Sequence, residues 1–451
     1  MSGAVPVSEA ARLRFTPRQK AVGLAVLALL AAGFSMVPVL TAQLLIVVNL
    51  GFAAGFLLIR TAAVFAVLGT EDPPRRRAEA ELPRITILCP VYKEAASLPN
   101  LLTAVAQLDY PKDRLEVFIL IEEEDEETLA AALRYPTRAV PVLVPEGRVK
   151  TKPNALNHGM RKASGDIVGV YDAEDRPERS QLRKVAAAFA ASDETLACVQ
   201  AQLNYHNRDD GYLQRMFALE YALQFDWFLP GLTKLGLPLP LGGTSNFVRT
   251  EALREAGGWD PYNVTEDADL GLRLGALGYR IEAIRSTTFE EATETPAAWV
   301  KQRSRWLKGF LQTWFVHLRG RTSLKDALVL HFAIGAVVIG AVANPITYGL
   351  WLVWWFTELS FLVPVFEGWV GQACLLLFVG GNLAHLWFML LAPLRRGWMD
   401  LTGAALFLPF YWALQSVAGY KALGGFILTP HYWEKTEHSA GTDPLKEGSL
   451  A

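Results

Sequence analysis

Apolar positions gather at the two ends of the chain, while the middle alternates. From Ala21 to Leu68 nearly every residue is apolar and Arg60 is the only charge. A membrane-spanning helix takes ~20 residues, so this stretch holds two, at about 21–40 and 43–66, with Pro38 and Thr41 near the turn. It is too long for a signal-peptide core and has no convincing cleavage site. Arg12, Arg14, Arg18 and Lys20 precede it, and Arg75, Arg76 and Arg77 follow. Basic flanks stay in the cytoplasm, so a hairpin with both ends there is expected. After Lys325 the apolar character returns, with spans at about 328–357, 369–393 and 402–427. Asn344-Pro345 in the first of these fits either a kink or a tight hairpin. Five spans are therefore expected, a sixth stays open, and so does the side of the C-terminal tail. The expected division is 1–20, a two-helix segment at 21–68, a soluble domain at 83–322, a second membrane segment at 326–428 and a tail at 429–451.

The middle reads as alternating strands and helices. Short apolar runs at 84–89, 115–121, 140–144 and 166–171 are separated by helical patterns at about 96–107, 126–134, 153–163 and 180–191. Continuous apolar strands between helices predict an α/β domain with a mainly parallel sheet covered on both faces. In such sheets ligands bind beyond the carboxyl ends of the strands. The first strand is followed by Pro90-Val91-Tyr92-Lys93-Glu94, the second by Glu122-Glu123-Glu124-Asp125, and the strand ending at Tyr171 by Asp172-Ala173-Glu174-Asp175. Acids crowded at strand ends repel one another, and a divalent cation relieves this. Carboxylate ligands suit Mg2+ or Mn2+. The plainer alternative is loop residues and helix caps.

Four later segments add chemistry. Lys150 to Asn157 opens a helix with two lysines and Pro153 at its start, where phosphate oxygens are well received. Gly242-Gly243-Thr244-Ser245-Asn246 is a small-residue loop that lets backbone approach a substrate. Thr265-Glu266-Asp267-Ala268-Asp269 starts a helix, where acids are also favoured by the helix dipole alone. Gln302, Arg305 and Trp306 share one helix face at i, i+3 and i+4. A planar cation beside a flat ring suits a diphosphate next to a sugar, and it also suits a helix lying on a membrane surface. The aromatic segment from Gly211 to Gly236 is expected to lie partly on that surface.

Charge and cysteines narrow the classes. Formal net charge is −2, which gives no reason for a nucleic-acid partner. Cys89, Cys198 and Cys374 form no CxxC pair, so neither a zinc ribbon nor a disulfide framework is indicated. A transporter or scaffold subunit with a ligand-binding soluble domain is the alternative class. Against it, the ionisable clusters lie in the soluble block, whereas transport sites place polar groups at mid-membrane.

In this order the motifs resemble the family 2 glycosyltransferases, closest to the membrane-integrated branch that includes cellulose, hyaluronan and chitin-oligosaccharide synthases. The branch pattern is an acid after an early strand, a DxD, a TED and a Q-x-x-R-W. Here these are Glu122/Glu123, Asp172-Ala-Glu174, Thr265-Glu266-Asp267 and Gln302-x-x-Arg305-Trp306. The resemblance covers about residues 84–319. It implies a GT-A-like nucleotide-sugar-binding domain inserted between N- and C-terminal transmembrane helices of the inner plasma membrane, with the catalytic domain cytoplasmic. It further implies a nucleotide-sugar donor, a glycan or lipid-linked acceptor, and Mg2+ or Mn2+. Pro90, Tyr92 and Glu94 match the loop holding base and ribose, Glu122 or Glu123 the acid that contacts the base, and Lys152 and Asn157 the segment near diphosphate and ribose. Asp172 and Glu174 match the ribose- and metal-holding DxD, with Asp175 a possible replacement for Glu174. Asp267, beside Glu266, matches the general base, Arg305 and Gln302 the diphosphate clamp, and Trp306 the acceptor platform, with Gly243 and Thr244 in the acceptor loop. An inverting transfer is implied, and processive synthesis with export is compatible with it. The chain departs from the pattern in three places. Glutamate replaces the early aspartate, the DxD reads Asp-Ala-Glu, and Gly-Gly-Thr-Ser-Asn replaces the Phe-Cys-Gly of cellulose synthases, so cellulose is not assigned.

Overall fold

A computed structural model describes residues 7–70, 82–135, 137–147, 149–320 and 322–432. Arg75–Arg77 and the tail beyond Tyr432 fall outside the described residues.

The soluble domain is built on eight strands: β1 (Ile85–Val91), β2 (Leu115–Glu122), β3 (Val140–Val144), β4 (Ile167–Val170), β5 (Arg176–Pro177), β6 (Leu196–Tyr205), β7 (Asn246–Arg249) and β8 (Arg280–Glu290). They form one sheet in the order β3-β2-β1-β4-β7-β6-β8-β5. The half from β3 to β4 is parallel, as the unbroken apolar runs predict. The other half is mixed, because β7 lies antiparallel to both β4 and β6. Side chains alternate along β1, so Ile85, Ile87 and Cys89 enter one core and Leu88 the other.

Helices α1 (Pro17–Met36) and α2 (Pro38–Val67) precede the sheet. Within the domain come α3 (Leu98–Ala106), α4 (Glu126–Arg134), α5 (Lys152–Met160), α6 (Gln181–Ala190), α7 (Tyr212–Ala222), α8 (Leu229–Lys234), α9 (Thr250–Glu255), α10 (Glu266–Ala276) and α11 (Pro296–His317). After it follow α12 (Leu324–Val329), α13 (Ala336–Thr357), α14 (Val363–Phe366), α15 (Trp369–Leu391) and α16 (Leu408–Leu428). Helices α3 and α6 cover one face of the sheet. Helices α5, α8 and α10 cover the other, and Ile59 and Ala63 of α2 join that same core. The sheet domain and the apolar helix α2 thus share packing. Gly231 sets the distance of approach, since a Cβ there would stand 2.1 Å from the Ala63 carbonyl oxygen.

Five helical segments among the described residues are long and apolar enough to cross a membrane: Pro17–Met36, Pro38–Val67, Leu324–Thr357, Trp369–Arg396 and Met399–Leu428. The break between the first two falls at Val37, just before the expected turn. Helix α13 continues through Pro345, so the hairpin alternative at Asn344-Pro345 does not form. The segment from Gly211 to Gly236 does not lie open on a surface. Met216, Phe217, Leu223, Phe228 and Leu232 are all buried, and the segment wedges between the sheet and α2.

Candidate active site

The carboxyl ends of β1, β2 and β4 open into a cleft. Its walls come from the turns after those strands, the start of α5 and one side chain of α11. Pro90, Tyr92 and Glu94 line it after β1, Glu122 after β2, and Asp172, Ala173 and Glu174 after β4. Two contacts fix the first turn. Lys93 takes a left-handed backbone (φ 54), and its N–H donates to Asp125 at 2.5 Å. The same carboxylate caps α4 by accepting from the Thr128 N–H at 3.2 Å. Asp125 therefore ties together the two turns that flank the cleft.

Glu122 is buried, and its Oε2 has no hydrogen-bond partner among the described residues. Burial, with Glu124 nearby, pushes its carboxyl up to about 7. Glu123 is exposed and does not line the cleft; its backbone N–H donates to Val144. Glu124 instead pairs with Lys150 at 2.6 Å on the surface.

Lys152 occupies the first turn of α5, where Pro153 favours helix initiation. Its Nζ lies 2.5 Å from Asp172 and donates to the Gly243 carbonyl at 2.7 Å. Burial alone would lower this ammonium, but Asp172 and Glu266 more than reverse the effect and raise it. Arg305 reaches the same cleft from α11. Burial holds its guanidinium below the usual range, against the pull of Glu266, Glu174 and Asp172.

Asp267 sits in the first turn of α10, and its Oδ1 accepts from the Ala268 N–H at 2.8 Å. A Cβ on Gly243 would stand 3.4 Å from the Asp267 Oδ2, so the Gly243 loop passes directly over this carboxylate. Burial is the main cause that lifts Asp267 to about 6. Glu266, fully buried beside it, is raised to about 8 by burial and then by Asp267. Gly309 allows α11 to press on this corner, because a Cβ there would meet Thr265 at 2.5 Å. Lys152, Asp172 and Arg305 thus line the cleft from three separate elements, and Asp267 lies beside them against the Gly243 loop that Lys152 holds.

Other residues singled out in the sequence have structural partners. The Asn157 amide is spent on the Trp259 backbone, donating to its carbonyl at 2.7 Å and accepting from its N–H at 3.0 Å. Asp175 is buried under the Asp172 turn and accepts from the Asp172 N–H at 2.8 Å and from the Thr244 hydroxyl. Glu174, not Asp175, faces the cleft, and Thr244 serves the turn. Gln302 is buried beside the cleft with Oε1 unpartnered among the described residues. Trp306 packs in an aromatic patch with Phe217 and Tyr221, at 5.9 and 6.2 Å between ring centroids. The Arg303 guanidinium lies 4.8 Å from its ring and pairs with Glu220 at 2.5 Å.

Thr151, inside the Lys150–Asn157 segment, also lines the cleft. One carboxylate near the site was not legible in the sequence. Glu290 ends β8 opposite Tyr205, and burial, then Asp175, Glu174 and Asp172, raise its carboxyl well above the usual range. Its only trace in the sequence is its place at the end of a strand that the apolar pattern did not single out.

Residues 83–309 match a family model described as glycosyltransferase like family 2. The chain belongs to that family. Among curated relatives it is 29% identical over 243 residues to a probable glycosyltransferase, YdaM, of Bacillus subtilis, covering 52% of this chain and 57% of that protein. It is 28% identical over 274 residues to a beta-monoglucosyldiacylglycerol synthase of Synechocystis, covering 59% and 56%. The matched region thus spans somewhat over half the length of these relatives. Among solved structures, a mannosyltransferase of Pyrobaculum calidifontis, PcManGT, in complex with GDP-Man and Mn2+, has a TM-score of 0.58 at 20% identity, covering 85% of this chain and 99% of that one. At that identity the likeness establishes the fold, a GT-A-type α/β domain with apolar helices on either side, as family membership leads one to expect.

Proposed function

We propose that this chain transfers a hexosyl unit from a nucleotide sugar to a hydroxyl of a glycan or lipid-linked acceptor, at the cytoplasmic face of the inner membrane. The carrying observation is the convergence of Lys152, Arg305 and Asp172 on one cleft, with Asp267 beside it under the Gly243 loop. The mannosyltransferase neighbour, solved with GDP-Man and Mn2+, supports a nucleotide-sugar donor, and the diacylglycerol glucosylating relative supports a lipid among the acceptor candidates.

In this reading Pro90, Tyr92 and Glu122 surround the base and ribose, while Lys152 and Arg305 bind diphosphate oxygens. Arg305 does this as a fork-shaped donor and Lys152 as a point charge. Asp267, raised to about 6, is ionised at neutral pH yet basic enough to take a proton. It accepts the acceptor hydroxyl proton as that oxygen bonds to the anomeric carbon. The bond from that carbon to the diphosphate oxygen breaks on the opposite face, so configuration inverts. Arg305 and Lys152 stabilise the charge of the departing nucleoside diphosphate. Trp306 supports the acceptor sugar or headgroup.

A divalent cation fits the residues present. Among the described residues no three His, Cys, Asp or Glu side chains converge as a closed cage requires. Mg2+ and Mn2+ need only one or two carboxylates when substrate phosphates complete the shell, and Asp172 and Glu174 both face the cleft. These two would hold it, and when bound it would neutralise charge on the diphosphate.

The test is release of nucleoside diphosphate by the purified chain in nanodiscs, screened over UDP- and GDP-sugars with Mg2+ or Mn2+. Release with one donor, and a β-linked product from an α-linked donor, is expected. An α-linked product would remove the inverting mechanism. No release with any donor, in the presence of lipid and oligosaccharide, would remove the transferase reading.

A further inference from the structure

Arg60 is the only charged residue of α2 and stands seven residues before Val67, where that helix ends. The helix has 30 residues and is about 45 Å long, against ~30 Å for the acyl core of a bilayer. Its surplus length lies at the end that meets the sheet domain. There Ala63 packs on Gly231, and the Val67 carbonyl accepts from Arg395 at 2.5 Å. Arg60 is about 10 Å from that end. A span through α2 therefore sets Arg60 where acyl chains give way to headgroup phosphates.

Two rings enclose its guanidinium. Phe56, one turn earlier on α2, lies at 4.6 Å, and Phe228, just before α8, at 5.1 Å. His385 of α15 stacks on Phe56 at 5.7 Å between ring centroids. Cation–π contact offsets part of the cost of holding this charge away from water. Yet Arg60 forms no hydrogen bond and no ion pair among the described residues, and its Nε is enclosed without a partner. A guanidinium carries five N–H donors and stays charged, so the pocket lacks an acceptor. The residue as a whole keeps part of its surface open.

The neighbouring carboxylate is already committed. Glu220, whose field reaches Arg60, accepts from Arg303 through both oxygens and also from the Tyr411 hydroxyl. Two guanidiniums thus share one carboxylate, and the group has one positive charge to spare. The Arg303 guanidinium in turn lies 4.8 Å from the Trp306 ring. The spare cation therefore stands on the α2 side of the ring read as the acceptor platform. An oxyanion at that depth, met by a fork of donors, is a phosphate.

We infer that Arg60 binds the phosphate of a membrane lipid, and that this lipid is the acceptor, its headgroup hydroxyl reaching past Trp306 toward Asp267. The acceptor role rests on the transferase reading; the binding site does not.

Binding is measured by calorimetry on the full chain in micelles of an uncharged polyoxyethylene detergent, with no sugar donor. The probes are dihexanoyl phosphatidylglycerol, dihexanoylglycerol and inorganic phosphate. Expected is binding of the phosphatidylglycerol alone, about ten- to a hundredfold weaker in Arg60→Gln, with a smaller loss in Arg60→Lys. Melting temperature confirms that both variants fold. Equal binding of the two lipids, unchanged binding in Arg60→Gln, or equal losses in the two variants would overturn the site. Inorganic phosphate binding as tightly as the lipid would make it a soluble-anion site and overturn the lipid assignment. Transfer is then followed in the same micelles with the donor found by nucleotide release. Expected is transfer to phosphatidylglycerol in preference to diacylglycerol, with KM for the lipid raised in Arg60→Gln and kcat unchanged. Preference for diacylglycerol, or a fall in kcat alone, would overturn the acceptor role. No release with any donor would end that role together with the transferase reading, while the binding result stands.

Discussion

Lys152 reaches across the cleft to Asp172, with its ammonium 2.5 Å from the carboxylate. The contact joins the start of a helix to the end of a strand, and the same ammonium holds the Gly243 carbonyl. One cation thus gathers the turn after β4 and the loop that passes over Asp267. It is also the cation placed to meet a donor diphosphate when the cleft fills.

Replacing Lys152 with alanine should therefore weaken donor binding more than it alters the fold. A charge-assisted hydrogen bond contributes about 1.5–3 kcal/mol, or roughly ten- to a hundredfold in affinity. Calorimetric titration with the donor identified by nucleotide release measures this. Unchanged affinity would take Lys152 out of the diphosphate site.

The raised carboxyl of Asp267 sets a pH dependence. The base must be ionised, so turnover should fall as pH drops through about 6, approaching tenfold per unit further down. Glu266 titrates with it, so the limb reports the pair. A turnover profile flat between pH 7 and 5 would contradict the assignment.

Glu122 makes a stability prediction. Its carboxyl is raised in the folded chain to about 7, above the ordinary carboxylate value. Between those two values the unfolded chain ionises and the folded chain does not, so stability is lost as pH rises across that window. Glu122→Gln removes the loss. The variant should gain in melting temperature over wild type on going from pH 5 to pH 8, as read by thermal unfolding in nanodiscs. A constant gap would show that the side chain is solvated.

Local pattern carried the sequence reading a long way. Strands β1 to β4 are mostly apolar runs, and the acids that follow β2 and β4 are adjacent to them in sequence. Asp172 and Asp267 could be singled out because each sits in a short motif at an element end, and Arg305 because it shares a helix face with Gln302 and Trp306. What escaped depends on distant partners. Strand β7 is four residues long and takes its place only by pairing between β4 and β6. Asn157 looks like a ligand-facing amide at a helix start, yet it is engaged by Trp259, 102 residues away. Thr244 and Asp175 satisfy each other across 69 residues.

The most direct test of the account is single-turnover transfer by Asp267→Asn beside wild type, with donor affinity measured on the same preparations. The amide keeps the shape of the side chain but cannot accept the proton. The account predicts nearly unchanged donor affinity and a loss of about a hundredfold or more in turnover. Wild-type turnover in that variant would contradict it.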